Sequence, residues 1–455
     1  MLAIASLVTF ALVIILIFKQ PALKVPFINR EFKVDYGTAP ILGVIILMAT
    51  LSINQESIIN GIVGNSAIQP YAILILFMSL AYICISLDST GLFAYLAVRA
   101  NRAAGNSGRK LFLYFFLLSS FLTMFTSNDI VILTITPIIY YFAKNTKTDP
   151  VPFLVAQFFA ANIWSVALYT GNPTNIIVAQ AYNLSFIEYS KWMVLPTIAA
   201  GAMCLGTLWV IFRRKVPAKT LPTEVTPTAA LTDKNGAIFG VLCLGACLAC
   251  LNFASLLHLP VWQITLIFAS VVAARDAFLH QTFVDNGKPE LANRRVIQNL
   301  KRMPWKIMPF IIGMFILVES LLASDYIKIL IENLNFLKAN FVLACFGITF
   351  LSCFFANLIS NQPMTILLTR VLQSLNFSGA TGAEIASMYA LIIGSNFAAN
   401  FTLIGSLAGL MWNKLLRDKG VKISFKEFSK YGFLIMPLTL FAACLVLIIE
   451  ILLWL

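Results

Sequence analysis

Charged side chains and histidines are scarce in this sequence. Asp, Glu, Lys and Arg make up 11% of its 455 residues, whereas a soluble globular domain has about a quarter. The two histidines are too few for a histidine metal centre and for most acid–base catalytic designs. Neither G-x-x-x-x-G-K-[ST] nor H-E-x-x-H occurs in the sequence, so the P-loop and zinc-protease motifs are absent. We therefore expect no enzyme, no metal site and no cofactor.

Apolar residues, in contrast, fill long runs from one end of the chain to the other. Hydrophobic residues make up 60% of the sequence, and a run such as Leu2–Phe18 lacks the alternation of a β-barrel strand. This pattern predicts a polytopic helical membrane protein, with Leu2–Phe18 as a first spanning helix. The basic residues behind the net charge of +13 lie mostly in short loops, which is typical of cytoplasmic loops and does not indicate nucleic-acid binding.

The cysteines do not form the pattern of a secreted disulfide framework, because most of the eight lie inside apolar segments. Cys243, Cys247 and Cys250 follow the helical spacing i, i+4, i+7 and share one face. Three thiols could bind a soft metal or metalloid. We favour the alternative that they are small apolar filler, because apolar surroundings keep thiols protonated.

The first half of the chain contains two apolar runs that are interrupted by polar residues. Residues 1–38 form an N-terminal helix and a basic loop, and residues 39–213 follow as a first repeat. Within this repeat, the run 111–143 is broken at Thr126–Asp129 and has basic residues on both flanks, which predicts a re-entrant hairpin. The run 153–182 predicts a crossing helix that is broken at Gly171–Asn175.

The second half repeats this plan after a polar segment rich in Pro and Thr. Its predicted parts are the linker 214–235, the connecting helix 236–259 and a second repeat, 260–455. This repeat has a hairpin at 341–375, broken at Ser360–Pro363, and a crossing helix at 385–416, broken near Gly394–Asn396 and again through Asn400–Gly405. The first copy begins on the cytoplasmic side and the second on the opposite side. We therefore predict an all-α membrane protein of two inverted-topology repeats, each with a re-entrant helical hairpin and a discontinuous transmembrane helix.

Short polar residues occupy all of these interruptions. Asn offers two donors and two acceptors without charge, and broken helices expose further N–H and C=O groups. Such residues also pack helices together, but interruptions in corresponding places favour a solute site. The predicted substrate-binding residues are Ser127, Asn128, Gly171, Asn172, Thr174, Asn175, Ser360, Asn361, Thr365, Gly394, Ser395, Asn396 and Asn400.

Asp129 stands at the tip of the first hairpin, where an acid in lipid would cost about 2.5–3.5 kcal/mol. It is the predicted ion-coupling residue, carrying a proton or a cation, although it could instead cap the helix that starts at Ile130. Its counterpart in the second repeat, Gln362, cannot titrate. Glu319 also lies in an apolar run but ranks lower, and Arg370 is expected to pair with an acid or to extend toward the interface.

Several of these stretches resemble the arsenite/antimonite permeases of the ion transporter superfamily. The similarity lies in "FTSNDIVILTITPI" (125–138), "PWKIMPFIIGMFIL" (304–317), "SNQPMT" (360–365) and "ALIIGSNFAANFTLIGSLAGLMWNKLL" (390–416). The wider superfamily includes silicon effluxers, sodium/proton antiporters and divalent-anion/sodium symporters. In this chain Asn396 stands where the permeases usually have Asp.

This resemblance implies a scaffold domain, a transport domain that holds both hairpins, and an elevator-like motion. It also implies proton-coupled efflux of arsenite- or antimonite-like neutral oxyacids. The alternative is a sodium- or proton-coupled transporter of another small ion or an organic anion.

The expected partners are a small inorganic solute or ion and the lipid bilayer, with a separate ATPase subunit or a homodimer left open. The expected location is the plasma membrane, with both termini extracytoplasmic and the basic loops cytoplasmic.

Overall fold

The computed structural model describes residues 2–24, 31–64, 68–220, 230–257, 259–282, 290–322, 325–375, 377 and 380–455. The described chain is helical, apart from two three-residue strands that pair antiparallel within the first basic loop. Residues 221–229, in the middle of the predicted linker 214–235, lie outside the described residues.

The N-terminal part of the chain forms long and short helices that lead to the first hairpin. In chain order they are α1 (Leu2–Lys19), β1 (Ala22–Lys24), β2 (Glu31–Lys33), α2 (Ala39–Ala49), α3 (Gln55–Ile62), α4 (Pro70–Ser89) and α5 (Leu92–Ala104). The apolar run 39–53 is predicted to be one crossing, but α2 ends at Ala49 and the chain turns into the separate helix α3. Asn54 caps α3 by accepting a hydrogen bond from Ser57 N–H at 2.8 Å, which fixes this turn.

The rest of the first half contains the first hairpin and the first broken helix. These are α6 (Gly108–Phe125), α7 (Asn128–Asn145), α8 (Val151–Trp164), the 3₁₀ turn Tyr169–Gly171, α9 (Pro173–Ala181) and α10 (Phe186–Phe212). Both α6–α7 and α8–α9 match the predicted runs 111–143 and 153–182 to within a few residues at each end. The polar interruptions in the apolar runs therefore mark real helix ends.

The second half begins with α11 (Lys234–Asn252), α12 (Ala254–Leu257), α13 (Val261–Thr282), α14 (Glu290–Arg302), α15 (Ile307–Leu322) and α16 (Asp325–Leu334). It ends with the 3₁₀ turn Asn335–Ala339, α17 (Phe341–Ile359), α18 (Asn361–Ser374), α19 (Thr381–Phe397), the 3₁₀ turn Ala398–Asn400, α20 (Leu407–Asp418) and α21 (Phe425–Trp454). The helices α17–α18 and α19–α20 correspond to the predicted hairpin 341–375 and broken helix 385–416.

Seven helical segments of the described chain are long and apolar enough to cross a membrane. They are Pro70–Ser89, Gly108–Phe125, Phe186–Phe212, Lys234–Asn252, Arg295–Leu322, Phe341–Ile359 and Phe425–Trp454. The prediction of a helical polytopic membrane protein is confirmed. The halves of the broken helices are shorter, because each covers only part of a crossing.

The two halves contain the same order of elements. The series α2, α3, α4, α5, hairpin α6–α7, broken helix α8–α9 and α10 is matched by α13, α14, α15, α16, hairpin α17–α18, broken helix α19–α20 and α21. Contacts follow the same correspondence, since α4 packs on α13 while α15 packs on α2, and α10 packs on α21. The opposite orientation of the two series, and the boundaries 39–213 and 260–455, stay predictions.

The last helix of each series begins with the same sequence signal. Ser185 caps α10 by accepting a hydrogen bond from Glu188 N–H, and Ser424 caps α21 by accepting one from Glu427 N–H, both at 3.1 Å. Each pair has the Ser-x-x-Glu spacing of a capping box. The local sequence therefore sets where these two long helices start.

A charged cluster joins α4, α11, α13 and α14 at one end of the molecule. Asp276 is buried and accepts hydrogen bonds from Ser86 Oγ at 2.5 Å and Asn299 Nδ2 at 3.2 Å. Asp233 pairs with Arg275 at 2.8 Å and Arg295 at 2.9 Å. Burial favours a higher pKa for Asp233, but the hydrogen bonds from Arg275 and the Gly236 N–H, together with the charges of Arg275 and Arg295, outweigh it and the pKa is lowered. These bonds join the four helices to one another.

Candidate functional site

The first helix break is built by the sequence Gly171-Asn172-Pro173. Asn172 is extended and caps α9, because its Oδ1 accepts a hydrogen bond from Thr174 N–H at 3.2 Å. Pro173 follows at the first helical position, where its missing N–H costs nothing. A Cβ on Gly171 would lie 2.3 Å from Ser165 O, so only glycine fits there. Helix α8 ends at Trp164, so the break covers residues 165–172 and begins before the predicted 171–175, and the motif starts the second half-helix.

The second break lies later in the chain than the sequence predicts. Helix α19 continues through Gly394, Ser395 and Asn396 and ends at Phe397, so these three residues are helical and the prediction of a break at them is wrong. Gly394 is small for another reason, since a Cβ there would lie 2.5 Å from Ser352 Cβ on α17. Close packing of α17 and α19 therefore requires this glycine. The prediction that the chain is interrupted through Asn400–Gly405 is confirmed.

Asn396 is the centre of a buried hydrogen-bond network that joins the two halves. Its Oδ1 accepts from Ser165 Oγ and Asn172 Nδ2, both at 2.8 Å. Its Nδ2 donates to Asn175 Oδ1 at 2.7 Å and to Ile392 O at 2.9 Å. Every donor and acceptor of Asn396 is thus used, and the side chain is fully buried. This arrangement holds the first break against the last turn of α19.

Two other predicted residues lie at the edge of this network. The hydroxyls of Thr174 and Ser395 are 3.5 Å and 3.3 Å from Asn396 Nδ2. The Ser395 hydroxyl also donates to Ile392 O at 2.9 Å. They are secondary contacts of the amide, and each is fully buried.

Asn162, which the sequence reasoning missed, forms a second set of bonds beside the first. Its Oδ1 accepts from Asn128 Nδ2 at 3.0 Å, and its Nδ2 donates to Asn400 Oδ1 at 2.9 Å and Phe158 O at 3.1 Å. Asn400 Nδ2 in turn donates to Phe159 O at 3.3 Å. The available signal was that Asn162, like Gln157, is an amide within the apolar helix α8. Hairpin tip, first half-helix and second break therefore meet at one side chain.

The tip of the second hairpin reaches the second break through its backbone. Asn361 N–H donates to Gly405 O at 3.1 Å. Asn357 supports the same break, because its Nδ2 donates to Ala398 O at 3.2 Å. The hydroxyl of Thr365 bonds to Asn361 O at 2.7 Å within its own helix and makes no described contact with the amide network. Thr365 therefore stabilises the hairpin tip through a bond within α18 and is not part of the amide network.

Some of the buried polar atoms without partners lie at the tips and breaks. Among the described residues, buried oxygens with no hydrogen-bond partner include those of Ser127, Ser360, Gln362, Tyr169 and Thr170. An unpaired buried hydroxyl or amide costs about 1–3 kcal/mol. The predicted Asn side chains are mostly occupied by one another, whereas these hydroxyls and this amide oxygen are unused. They are the groups with free capacity for a solute.

A cavity of about 430 Å³ borders the tip of the first hairpin. The polar residues that line it are Tyr36, Asp88, Ser127, Asp129, Thr134 and Arg302, and apolar side chains, mostly of α4, α7, α15 and α20, form the remaining wall. Arg302 is already paired with Asp88. Burial and the charge of Asp129 raise the pKa of Tyr36 to about 12, so its hydroxyl stays neutral. The cavity therefore has one acid, Asp129, without a paired cation.

Asp129 does not cap α7 as the alternative interpretation proposed. Helix α7 begins at Asn128, one residue earlier, and Asp129 N–H donates to Asn128 Oδ1 at 2.9 Å. Among the described residues no hydrogen bond or ion pair reaches the Asp129 carboxylate. The carboxylate is thus available to the cavity.

Glu319 and Arg370, the other two ionisable residues that the sequence analysis singled out in apolar runs, form a pair. Arg370 on α18 lies 2.9 Å from Glu319 on α15, and the exposed fractions of the two side chains are 15% and 13%. Arg370 also donates to Gln373 Oε1 at 3.3 Å, and Gln373 donates to Ala181 O at 2.7 Å. The expectation that Arg370 pairs is confirmed. This chain ties the second hairpin to α15 and to the end of α9.

The cysteine triplet shows no arrangement for a metal. Cys243 and Cys247 are buried in α11 and Cys250 is half-buried. Within the described part of the chain, no group of three or more His, Cys, Asp or Glu side chains is placed to hold a metal ion. The interpretation of these thiols as filler stays the preferred one.

A family model described as citrate transporter, CitMHS, matches residues 13–394. This chain belongs to that family, within the ion transporter superfamily. Arsenical pump membrane proteins of Yersinia enterocolitica and of Escherichia coli K12 are each 28% identical to this family member, over 435 and 436 residues. In both comparisons 93% of each chain is covered.

The fold of this family member is also similar to a solved transporter. The crystal structure of the Alcanivorax borkumensis YdaH transporter, described as having an unusual topology, superposes with a TM-score of 0.59 at 15% identity. The match covers 100% of this chain and 98% of that one. Together with the family, this fold makes the protein a secondary transporter of the plasma membrane and not an enzyme. It contacts the lipid bilayer and a transported solute.

Proposed function

We propose that this transporter exports small, neutral oxyacids of trivalent arsenic or antimony in exchange for protons. The arsenical pump membrane proteins that are similar over nearly the whole chain support this substrate class. A neutral solute with several hydroxyl groups needs hydrogen-bond partners rather than opposite charges. The amides, hydroxyls and carbonyls at the tips and breaks supply such partners.

The charge of the cavity at the first hairpin carries this proposal. Its acids are Asp129 and Asp88, and its cation Arg302 is paired with Asp88. A polyanion would therefore meet an unpaired carboxylate at Asp129, which repels it in surroundings of low dielectric constant. A neutral oxyacid meets no such penalty. Asp129, which has no partner among the described residues, would carry the proton that drives export.

The solute contacts follow from the free polar atoms. In this proposal the hydroxyls of Ser127 and Ser360 bind the solute hydroxyls, and the network around Asn172 and Asn396 fixes the distance between the two breaks. The remaining predicted residues, Asn128, Gly171, Thr174, Asn175, Asn361, Thr365, Gly394, Ser395 and Asn400, shape or support this site. Binding would thus complete bonds that are unmade in the empty site.

The proposed motion is elevator-like alternating access between two inverted repeats. Hairpins α6–α7 and α17–α18 pack on the broken helices and would form the transport domain. Helices α1–α4, α11 and α13–α15, which include the charged cluster at Asp276, would form the scaffold. In this arrangement both termini are extracytoplasmic. Transport driven by protons would not require the separate ATPase subunit. In a homodimer, the two copies would contact each other through their scaffold domains.

A second candidate is a sodium- or proton-coupled transporter of an organic anion. The description of the matching family as citrate transporter favours it. Transport measured in vesicles separates the two candidates. The second candidate requires uptake of an organic anion, at a rate that depends on a sodium gradient or on the charge of the substrate.

A metalloid-resistance assay in a sensitive host tests the first candidate. Cells expressing the wild type should tolerate more arsenite than cells with empty vector. Asp129→Asn and Asn172→Ala should lose this protection. Asn252→Ala, which removes an amide bonded only to Leu248 O in α11, should retain it. Protection that is absent although the wild type is well expressed contradicts the substrate class, and protection by both site variants contradicts the site.

A further inference from the structure

The amide side chains at the first hairpin form a continuous chain of hydrogen bonds to the second break. Asn400 Oδ1 accepts from Asn162 Nδ2 at 2.9 Å, and Asn162 Oδ1 accepts from Asn128 Nδ2 at 3.0 Å. Asn128 Oδ1 then accepts from the backbone N–H of Asp129 at 2.9 Å. The chain joins residues that are 238 positions apart in sequence. Asn162 is its only member in α8, and it is fully buried.

We propose that Asn162 is a positioning residue that ties Asp129 to the second helix break. Its part in transport rests on the proposed function of Asp129. An asparagine suits this place because it accepts on one side and donates on the other, which fixes the direction of the chain. Loss of Asn162 leaves the Asn128 amide and the Asn400 oxygen without partners in a buried place. The tip that presents Asp129 to the cavity then loses its connection to the second repeat.

Other ionisable residues also lie near Asp129, and they are not part of this series of hydrogen bonds. The ionisable residues that line the same cavity are Tyr36, Asp88 and Arg302. Arg302 and Asp88 pair with each other, and Tyr36 stays neutral. A change in the behaviour of Asp129 after substitution of Asn162 therefore comes through Asn128, because none of these three residues contacts Asn162 in the described bonds.

Carbodiimide labelling measures this connection without a transported substrate. Dicyclohexylcarbodiimide reacts with protonated carboxyl groups in apolar places, and mass spectrometry of the peptide quantifies labelling at Asp129. We expect Asn162→Ala, in proteoliposomes, to move the pH of half-maximal labelling by roughly 0.5–1 unit, because the hairpin tip that sets the surroundings of the Asp129 carboxylate loses an anchor worth about one hydrogen bond. Asn400→Ala, at the far end of the chain, should move it in the same direction.

Asn252→Ala is the matched control. Like Asn162, Asn252 donates to the carbonyl four residues earlier in its helix, at 2.8 Å, but it has no bond to the site. It should leave the labelling midpoint unchanged. A folded Asn162→Ala protein with the wild-type midpoint overturns the proposal, and so does a wild-type Asp129 that is not labelled at any pH.

Transport gives a second readout. If Asn162 acts through Asp129, the double variant Asn162→Ala/Asp129→Asn should transport no more slowly than Asp129→Asn alone. If the double variant is slower than Asp129→Asn by the factor that Asn162→Ala alone causes, Asn162 has a general structural role and the proposal is overturned. If the wild type fails to export arsenite, the labelling experiment still shows whether Asn162 influences Asp129. Failure of the proposed function and failure of this inference are therefore distinguishable.

Discussion

The two hairpins of this transporter share a Ser-Asn sequence at the tip but differ in the next residue, in backbone and in surroundings. At Ser127–Asp129 the third residue is an acid that borders a cavity of about 430 Å³. At Ser360–Gln362 it is a buried amide with an unpaired oxygen. Ser127 has ordinary extended angles, whereas Ser360 has φ +70° and ψ 153°, which side chains rarely adopt.

In the proposed function, this difference would give the two hairpins different tasks. The first tip carries Asp129, the group proposed to change charge, beside the cavity. The second tip is buried and strained, and its second arm carries Arg370, which pairs with Glu319 on α15. Equivalent elements therefore need not have equivalent functions, and substitutions at matched positions should give unequal results.

The largest expected difference is between Asp129→Asn and Gln362→Asn. Asp129→Asn should lower pH-gradient-driven transport by roughly a thousandfold, because the proton-carrying group is removed. Gln362→Asn keeps an amide and should change the rate by no more than about threefold. Initial rates in proteoliposomes measure both. Equal losses would contradict the assignment of proton transfer to the first tip.

Loss of the ion pair between the second hairpin and α15 should have a larger effect on the free energy of unfolding than the other substitutions proposed below. Arg370→Ala leaves Glu319 with an uncompensated charge and should lower the free energy of unfolding by about 2–3 kcal/mol. The uncharged double variant Glu319→Gln/Arg370→Gln should recover most of that loss. Thermal unfolding in detergent measures the change, with the exposed Arg417→Ala as control. A stability equal to wild type for Arg370→Ala would show that the pair does not hold the hairpin.

Glycine in place of alanine should have opposite effects on stability at the two tips. Alanine is the reference at each tip because both serine hydroxyls are buried without a partner, so removing either hydroxyl changes stability by itself. Relative to Ser360→Ala, Ser360→Gly removes backbone strain and should stabilise the protein by about 1 kcal/mol. Relative to Ser127→Ala, Ser127→Gly only adds freedom to the unfolded chain and should destabilise it by about 0.5–1 kcal/mol. Changes of the same sign at both tips would contradict the backbone difference.

The hairpins and the first break could be predicted because lipid tolerates polar backbone only in protected places. Residues such as Asn128 and Asn172 therefore stand out within apolar runs. The predicted limits 111–143 and 341–375 lie close to the observed helix ends for this reason. A run of polar residues that indicates a surface loop in a soluble protein indicates a buried break in a helix when the protein lies in lipid.

The remaining features depend on contacts that no local pattern encodes. Gly394 looks like a helix breaker, but α17 approaches it so closely that glycine is needed inside the helix. Asn162 has no polar neighbours in sequence, and its partner Asn400 is 238 residues away. The backbone strain at Ser360 is likewise invisible, since Ser127 has the same sequence neighbour and ordinary angles. Tertiary packing decides all three.

The smallest expected effect concerns Asp35, which pairs with Lys306 next to Tyr36 at the rim of the first hairpin's cavity. Burial favours a higher pKa for Asp35, but the hydrogen bond from Lys306 and those from Thr38 and Gly37 outweigh it, so the folded-state pKa is below the unfolded value. Its charge therefore contributes stability above the unfolded pKa and loses it as pH falls through the folded pKa.

Asp35→Asn should thus cost no more than about 0.5 kcal/mol near pH 6, because Lys306 is largely exposed and screened. The difference from wild type should shrink as pH falls through the lowered folded-state pKa of Asp35, because the protonated carboxyl no longer pairs with Lys306. Thermal unfolding near pH 6 and over a series of lower pH values measures it. A difference that persists in acid would mean that Asp35 acts through its hydrogen bonds to Gly37 and Thr38, which asparagine can retain only in part. The rim of the first cavity would then depend on turn geometry rather than on charge.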